Sequence, residues 1–245
     1  MKIKCTISYD GTQFSGYQVQ PNKRTVQSEL EAVLSKIHKN PVKVYASGRT
    51  DASVHAVGQV VHFDTSLTIP FDRWKKALNA MLPDDISVTL IEEAGEGFHA
   101  RFSAKAKEYH YIIDRSEQPD IFKRNYRYHF PYKLDVHSMR EACELLQGTH
   151  DFTSFCAAKS AVEDRVRTIH KIEIEEVDNE LVFSFIGNGF LYNMVRILVG
   201  TLLDVGQGII VPQEIPNIID GKDRNLSGKT VPGHGLFLWK VYYDN

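Results

Sequence analysis

Cysteine is scarce in this chain, and the few that occur do not pair. Cys5, Cys143 and Cys156 are the whole complement, an odd number spread over 245 residues without metal-type spacing. That argues against a disulfide scaffold and a zinc-finger site, and it fits reduced thiols in a cytoplasmic protein. No run of about 18 apolar residues occurs, so no membrane span is expected. The opening segment MKIKCTISYDG lacks the uninterrupted apolar stretch of a signal peptide and reads as a strand. A P-loop, a dinucleotide-binding glycine turn and a Gly-x-Ser-x-Gly elbow are all missing, and the ten histidines do not fall at metal-ligand spacing. The expected chemistry uses no cofactor: no metal, no nucleotide, no flavin.

Net charge is also small, −2 from 29 basic and 31 acidic residues. A global sum hides local patches, and only the patch meets a phosphate. From Arg101 to Lys133 there are eight basic residues against four acidic ones, interleaved with Tyr109, Tyr111, Phe122, Tyr126 and Tyr128. A solvated surface accounts for the charges alone. The aromatic rings tilt the reading toward RNA, because rings stack on unpaired bases while cations hold the backbone.

Hydrophobic residues make up 42% of the chain, enough for a substantial core. Ile3, Cys5 and Ile7 alternate with polar neighbours, predicting a strand over 2–8. Val26, Leu30, Val33, Leu34 and Ile37 recur at helical spacing behind Thr25, a candidate N-cap. Strands at 42–46 and 58–63, a helix through Trp74 and Met81 ending before Pro83, and a strand at 86–91 complete a strand-helix-strand-strand-helix-strand order. The order recurs with a strand at 108–113, a helix at 135–147, strands at 166–175 and 180–186, an apolar helix at 190–205 and a closing strand at 236–242. The fold class expected is α+β. It comprises two ferredoxin-like or RRM-like units, 1–103 and 104–245, with antiparallel sheets and helices on one face.

Three residues stand out for chemistry. Asp51 lies in the small, polar stretch Gly48-Arg49-Thr50-Asp51-Ala52-Ser53 between two predicted strands. Such loops carry catalytic groups, although a turn aspartate bonding its own backbone reads the same way. Arg196 and Asp204 are the charged residues of the apolar helix. A guanidinium there needs a carboxylate, a path to solvent, or a structural pairing with Asp204. Asp51 is the preferred partner, since a bidentate pair would aim the acid and keep it ionised. Tyr109 shares a strand face with Tyr111 and Ile113, which suits a core tyrosine as well as a functional one.

Taken in order, the motifs resemble the TruA family of tRNA pseudouridine synthases over nearly the whole chain. They are Tyr9-Asp10-Gly11-Thr12, Gly48-Arg49-Thr50-Asp51 with Val54-His55-Ala56, Phe98-His99-Ala100-Arg101-Phe102-Ser103-Ala104, Tyr109-x-Tyr111, His150-Asp151-Phe152-Thr153-Ser154-Phe155, Met194-Val195-Arg196 and Gly235-Leu236-Phe237-Leu238. The resemblance implies Asp51 as the essential aspartate, Tyr109 beside the target base and Arg196 as the partner of Asp51. It also implies a homodimer, no membrane, and a basic cleft for the anticodon arm of tRNA, with target uridines at tRNA positions 38 to 40. His55 and Leu238, within the matched motifs, join Arg24, Arg49, Arg101, Lys105 and Lys107 as candidate RNA contacts. The chain departs from the family at Ser53, usually Gly, at Tyr192, often His, and at Tyr17, usually Trp. If position 53 needs a positive φ, Ser53 is strained there.

Pseudouridine formation is an isomerisation and needs no redox partner. Breaking the glycosidic bond puts positive charge on the sugar, which a carboxylate can stabilise, attack, or relieve by taking a proton. A non-catalytic RNA-binding protein of RRM-like units would share the fold but gives no reason for the Asp51 loop or for Arg196. A glycosidase would want a second carboxyl near Asp51, and none suggests itself.

Overall fold

The computed structural model describes residues 1–158 and 162–244. The chain resolves into two compact units, Met1–Lys105 together with the residues from Phe237 on, and Ala106–Leu236.

In the first unit, β1 (Lys2–Tyr9), β3 (His55–Asp64) and β4 (Ile86–Ala94) form an antiparallel sheet in the order β4-β1-β3. Burial in β1 alternates strictly, with Ile3, Cys5, Ile7 and Tyr9 inside. One face is therefore covered and the other is left to polar groups. Helices α1 (Val26–His38) and α2 (Phe71–Met81) belong to the covered side, where the Phe63 ring meets Trp74 edge-on at 5.7 Å. Thr25 caps α1 as expected: its hydroxyl accepts from the Ser28 N–H, and the Ser28 hydroxyl accepts from the Thr25 N–H. Val26, Leu30, Val33 and Leu34 of α1 are buried; each is worth roughly 1.5–3 kcal/mol of apolar transfer.

The strand expected at 42–46 shrinks to β2 (Tyr45–Ala46), which pairs with β3. Side chains of α1 take the preceding backbone donors: Val42 N–H bonds to the Ser35 hydroxyl and Val44 N–H to the Glu31 carboxylate. The closing strand β10 (Leu236–Tyr242) runs parallel to β3, with Phe237 opposite His55 and Leu238 opposite Ala56. The sequence reading places this strand with the second half. In the structure all but its first residue belong to the first unit.

The second unit has β5 (Ala106–Asp114), β9 (Glu180–Gly187), β8 (Val166–Val177) and β7 (Gly148–Asp151) as an antiparallel sheet in that order, with short β6 (Tyr128–His129) parallel to β5. Helices α3 (Val136–Leu146), α4 (Met194–Gly206) and α5 (Ile215–Gly221) complete it. Asp135 caps α3, its carboxylate accepting from the N–H groups of His137 and Ser138. Helix α4 starts four residues later than the apolar run suggests. Asn193 adopts φ 60, a left-handed conformation that stops the helix from extending back through Phe190. Among the described residues, no helix is long and apolar enough to cross a membrane.

Candidate active site

The Asp51 loop is pinned from several sides within the first unit. Tyr17 N–H donates to the Thr50 carbonyl at 3.0 Å, Ser53 N–H to the Phe14 carbonyl at 3.5 Å, and Val54 N–H to the Asp51 carbonyl at 3.2 Å. The buried hydroxyls of Tyr9 and Thr50 meet at 2.7 Å. Burial pushes the Tyr9 phenol up to about 12, so it stays protonated as a neutral partner. At the loop's start, the Ser47 hydroxyl donates to the Gln59 side-chain oxygen, and the Gln59 amide donates to the Gly48 carbonyl. Gly16 lies beneath it at φ +96, where an added Cβ would come within 2.9 Å of the Thr50 carbonyl oxygen, so only glycine lets the two segments approach. The result is a half-buried Asp51 on a rigid turn.

Ser53 sits at φ 62, the positive value that the family's usual glycine would take without strain. Tyr17 is 2% exposed, and its hydroxyl is buried without a hydrogen-bond partner among the described residues.

His55 and Leu238 are enclosed, at 2% and 0% exposure. Gly11 N–H donates to His55 Nδ1 at 2.9 Å, which leaves the ring proton on Nε2. Asp10 Oδ1 stands 3.2 Å from the same nitrogen and also accepts from Thr12 N–H and the Thr12 hydroxyl. The His55 ring stacks on Phe237 at 4.7 Å. Two motifs far apart in sequence are thereby joined under the loop, and these residues shape it from beneath.

Among the candidate phosphate contacts, Arg24 is already engaged. It holds Asp85 through two bonds of 2.7 and 2.9 Å and Glu29 at 2.9 Å, with its guanidinium 4.2 Å from the Phe14 ring. The hydrogen bonds to Asp85 raise its pKa further. In the free chain it ties the start of α1 to the residue before β4, and its side chain stays 36% exposed. Arg49 and Arg101 are exposed, Lys105 pairs with Asp244 at 2.9 Å on the surface, and Lys107 is half-buried at the start of β5.

In the second unit, Arg196 projects from a helix that is otherwise buried all round except at Asp204. Its Nε donates to the Val231 carbonyl at 2.8 Å, and a terminal nitrogen donates to Asn193 Oδ1 at 2.8 Å. Asn193 stands at the helix N-cap, yet its side chain makes no capping bond, because that oxygen serves Arg196. The Asn-x-x-Arg spacing is the sequence signal that would have found this pair. A structural pairing of Arg196 with Asp204 is not what forms. Eight residues separate them, about 12 Å along the helix, and Asp204 faces Gly228 and Lys229 instead.

A strap of residues 228–232 lies along α4. Gly228 N–H donates to the Thr201 hydroxyl at 2.9 Å, and that hydroxyl donates to the Ile197 carbonyl at 2.9 Å. The strap then presents two carbonyls in succession, Val231 to Arg196 and Pro232 to the Tyr111 hydroxyl at 2.8 Å. Tyr111 is thus the satisfied core tyrosine, and the positive charge of Arg196 is near enough to favour its phenolate against the dominant effect of burial. Tyr109, two residues earlier on the same strand face, is buried with its ring edge-on to Phe190 at 5.2 Å.

Among the described residues, no group of three or more His, Cys, Asp or Glu is placed to hold a metal ion. A groove of about 600 Å³ in the first unit is lined by Lys4, Glu92, Phe98, Lys105, Tyr243 and Asp244 among others. Its walls include no part of the Asp51 loop and carry carboxylates that repel phosphate.

Mostly antiparallel strands with helices packed on them in each unit, and an acid on a pinned loop, define a class of α+β protein with an enzyme-like site. Comparison narrows the class. The model of the tRNA pseudouridine synthase family matches residues 6–103 and 142–244. A tRNA pseudouridine synthase A of Geobacillus sp. (strain WCH70) is 61% identical over 245 residues, covering 100% of this chain and 99% of that protein. A protein of the same name from Bacillus subtilis (strain 168) is 59% identical over 247 residues, with both chains covered in full. The chain belongs to the tRNA pseudouridine synthase family, and it is an isomerase.

Proposed function

We propose that this chain converts uridine to pseudouridine in the anticodon arm of tRNA, at positions 38, 39 and 40, and that Asp51 is its essential acid. The observation that carries the reading is the Asp51 loop: a half-buried carboxylate on a turn held by backbone bonds from 14–17 and by the Tyr9–Thr50 pair. A group that must act on one ribose carbon gains from being aimed in advance. Arg196 is the partner assigned to Asp51, and the Asn193 and Val231 oxygens that hold its guanidinium support this by limiting how it can point. An adjacent guanidinium would keep the acid ionised.

When the glycosidic bond breaks, positive charge develops on the sugar, and the carboxylate offsets it by charge, by bonding, or by removing a ribose proton. Tyr109 lies against the detached base while it turns. The target uridine leaves its stack first, at a cost of a few kcal/mol, and Arg24, Arg49, Arg101, Lys105 and Lys107 offset that cost through phosphate contacts. Substrate and product are isomers, so the reaction balances without a redox or energy-carrying cofactor. The working unit is proposed to be a homodimer.

The test is tritium release from tRNA labelled at uridine C5. Asp51→Asn should abolish release while tRNA binding stays within a few fold. Surviving turnover would remove Asp51 from the chemistry. Binding to tRNA without release in the unaltered chain would favour the non-catalytic alternative.

A further inference from the structure

The first unit carries a row of rings that the reading above leaves unused. It lies on the sheet face opposite the helices: His62 pairs with Lys4 across β3 and β1, while the neighbouring Phe63 points to Trp74 of α2. Tyr45 stacks on His62 at 5.0 Å and 21°, His62 meets His99 edge-on at 4.7 Å, and His99 leans on Phe102 at 4.4 Å and 34°. The ends of the row face water. Phe102 is 76% exposed and Tyr45 47%.

The exposed ring is held outward. His99 Nδ1 accepts from the N–H groups of Arg101 and Phe102, the Ser103 hydroxyl accepts from His99 N–H, and Ser103 N–H donates to the His99 carbonyl. His62 Nδ1 accepts from Ala100 N–H. In three of these bonds a histidine Nδ1 is the acceptor, so both histidines serve the turn in their neutral form. A phenylalanine fixed this far into solvent forgoes most of its apolar transfer energy. Beside it, the Arg101 guanidinium lies 5.7 Å from the ring centre and makes no ion pair among the described residues. Phe122 is still more exposed, but Lys123 and Arg127 near it are both committed to Glu180, and the Arg124 guanidinium donates to the Ile121 carbonyl.

We propose that the Phe102 face, backed by His99, His62 and Tyr45, is a stacking platform for an unpaired base of the RNA substrate, with Arg101 on the adjoining phosphate. A flat apolar face with a free cation at its rim matches a base with its phosphate, and it is neutral enough to accept any of the four bases. This proposal rests on the reading that the substrate is RNA.

The experiment measures the affinity of the full chain for an unmodified tRNA transcript at fixed salt, without turnover. Phe102→Ala should weaken binding by about tenfold, in line with the loss of one stacked base, whereas Phe102→Trp should restore it. The indole of Phe102→Trp should be quenched when the transcript is added, relative to the signal of Trp74 and Trp239 in the parent. Affinity of Phe102→Ala within twofold of the parent would overturn the platform. So would a drop in sedimentation mass for Phe102→Ala, because the ring would then be covered by a second copy of the chain. If the parent itself fails to bind the transcript, the RNA reading falls together with the platform. Loss of the Asp51 assignment alone leaves this measurement unchanged.

Discussion

Gly200 is the position where a single methyl group should do most damage. It lies inside α4, where replacing glycine with alanine ordinarily gains about 1 kcal/mol of helix stability. Here an added Cβ would fall 1.8 Å from the Lys229 carbonyl oxygen and 3.0 Å from its carbon. The obstacle is backbone rather than the end of a flexible side chain, so the strap must retreat by roughly 1 Å or more to reach ordinary contact. Bonds in the way are the 2.9 Å link from Gly228 to Thr201 and the 2.8 Å bond from Arg196 to the Val231 carbonyl. Overpacking costs about 1–3 kcal/mol, and losing a hydrogen bond to a charged group about 1.5–3 kcal/mol. Against a gain of about 1 kcal/mol, net destabilisation of about 1.5–5 kcal/mol is expected.

The assay is urea unfolding of Gly200→Ala beside Gly95→Ala, a control at which an added Cβ meets nothing within 4 Å. The midpoint should fall sharply for the first and barely move for the second. Because the strap holds the Arg196 guanidinium, turnover under conditions that keep the variant folded should also fall, by tenfold or more, as displacements near 1 Å commonly cause. A Gly200→Ala protein more stable than its parent would show that the strap is not wedged against the helix. A destabilised protein with full turnover would separate the strap from the role proposed for Arg196.

Tyr17→Phe removes a buried hydroxyl without a partner; it should leave stability unchanged or raise it by about 1 kcal/mol, and a loss above that in thermal unfolding would mean the hydroxyl is satisfied. Ser53→Gly at φ 62 relieves about 1–2 kcal/mol of left-handed strain and gives back about 0.4–1 kcal/mol of unfolded-state entropy, for a net gain near 0.5 kcal/mol; a clear fall in melting temperature would mean the serine side chain is needed. Acid should weaken the first unit: burial first, then the charges of His99 and Lys2, lower His62 to about 4. The unfolded chain therefore binds a proton between pH 6.5 and 4 that the folded chain refuses, and stability falls as pH drops through that window by up to about 3 kcal/mol. His62→Gln should flatten this part of the pH profile, and an unchanged slope would assign the effect to other groups.

The order of elements was legible because the period of the apolar residues is a local property. Ile3, Cys5 and Ile7 alternate and are buried, and Thr25 caps the helix that its position announces. The failures occur where one segment's backbone is satisfied by something distant. Residues 42–44 have strand-like composition, but Ser35 and Glu31 of α1 claim their N–H groups. Phe190 to Tyr192 continue an apolar run, yet Asn193 turns left-handed and gives its side chain to Arg196. The same limit applies to the site. Asp51 and Arg196 are visible as residues out of keeping with their surroundings, an acid in a small-residue loop and a cation in an apolar helix. What sequence does not show is a cation's neighbours: Arg24 meets Asp85, 61 residues away in sequence, at 2.7 Å. Charge read from sequence is an inventory of what is available; whether a cation is left over for a ligand depends on which carboxylates the fold has already brought to it.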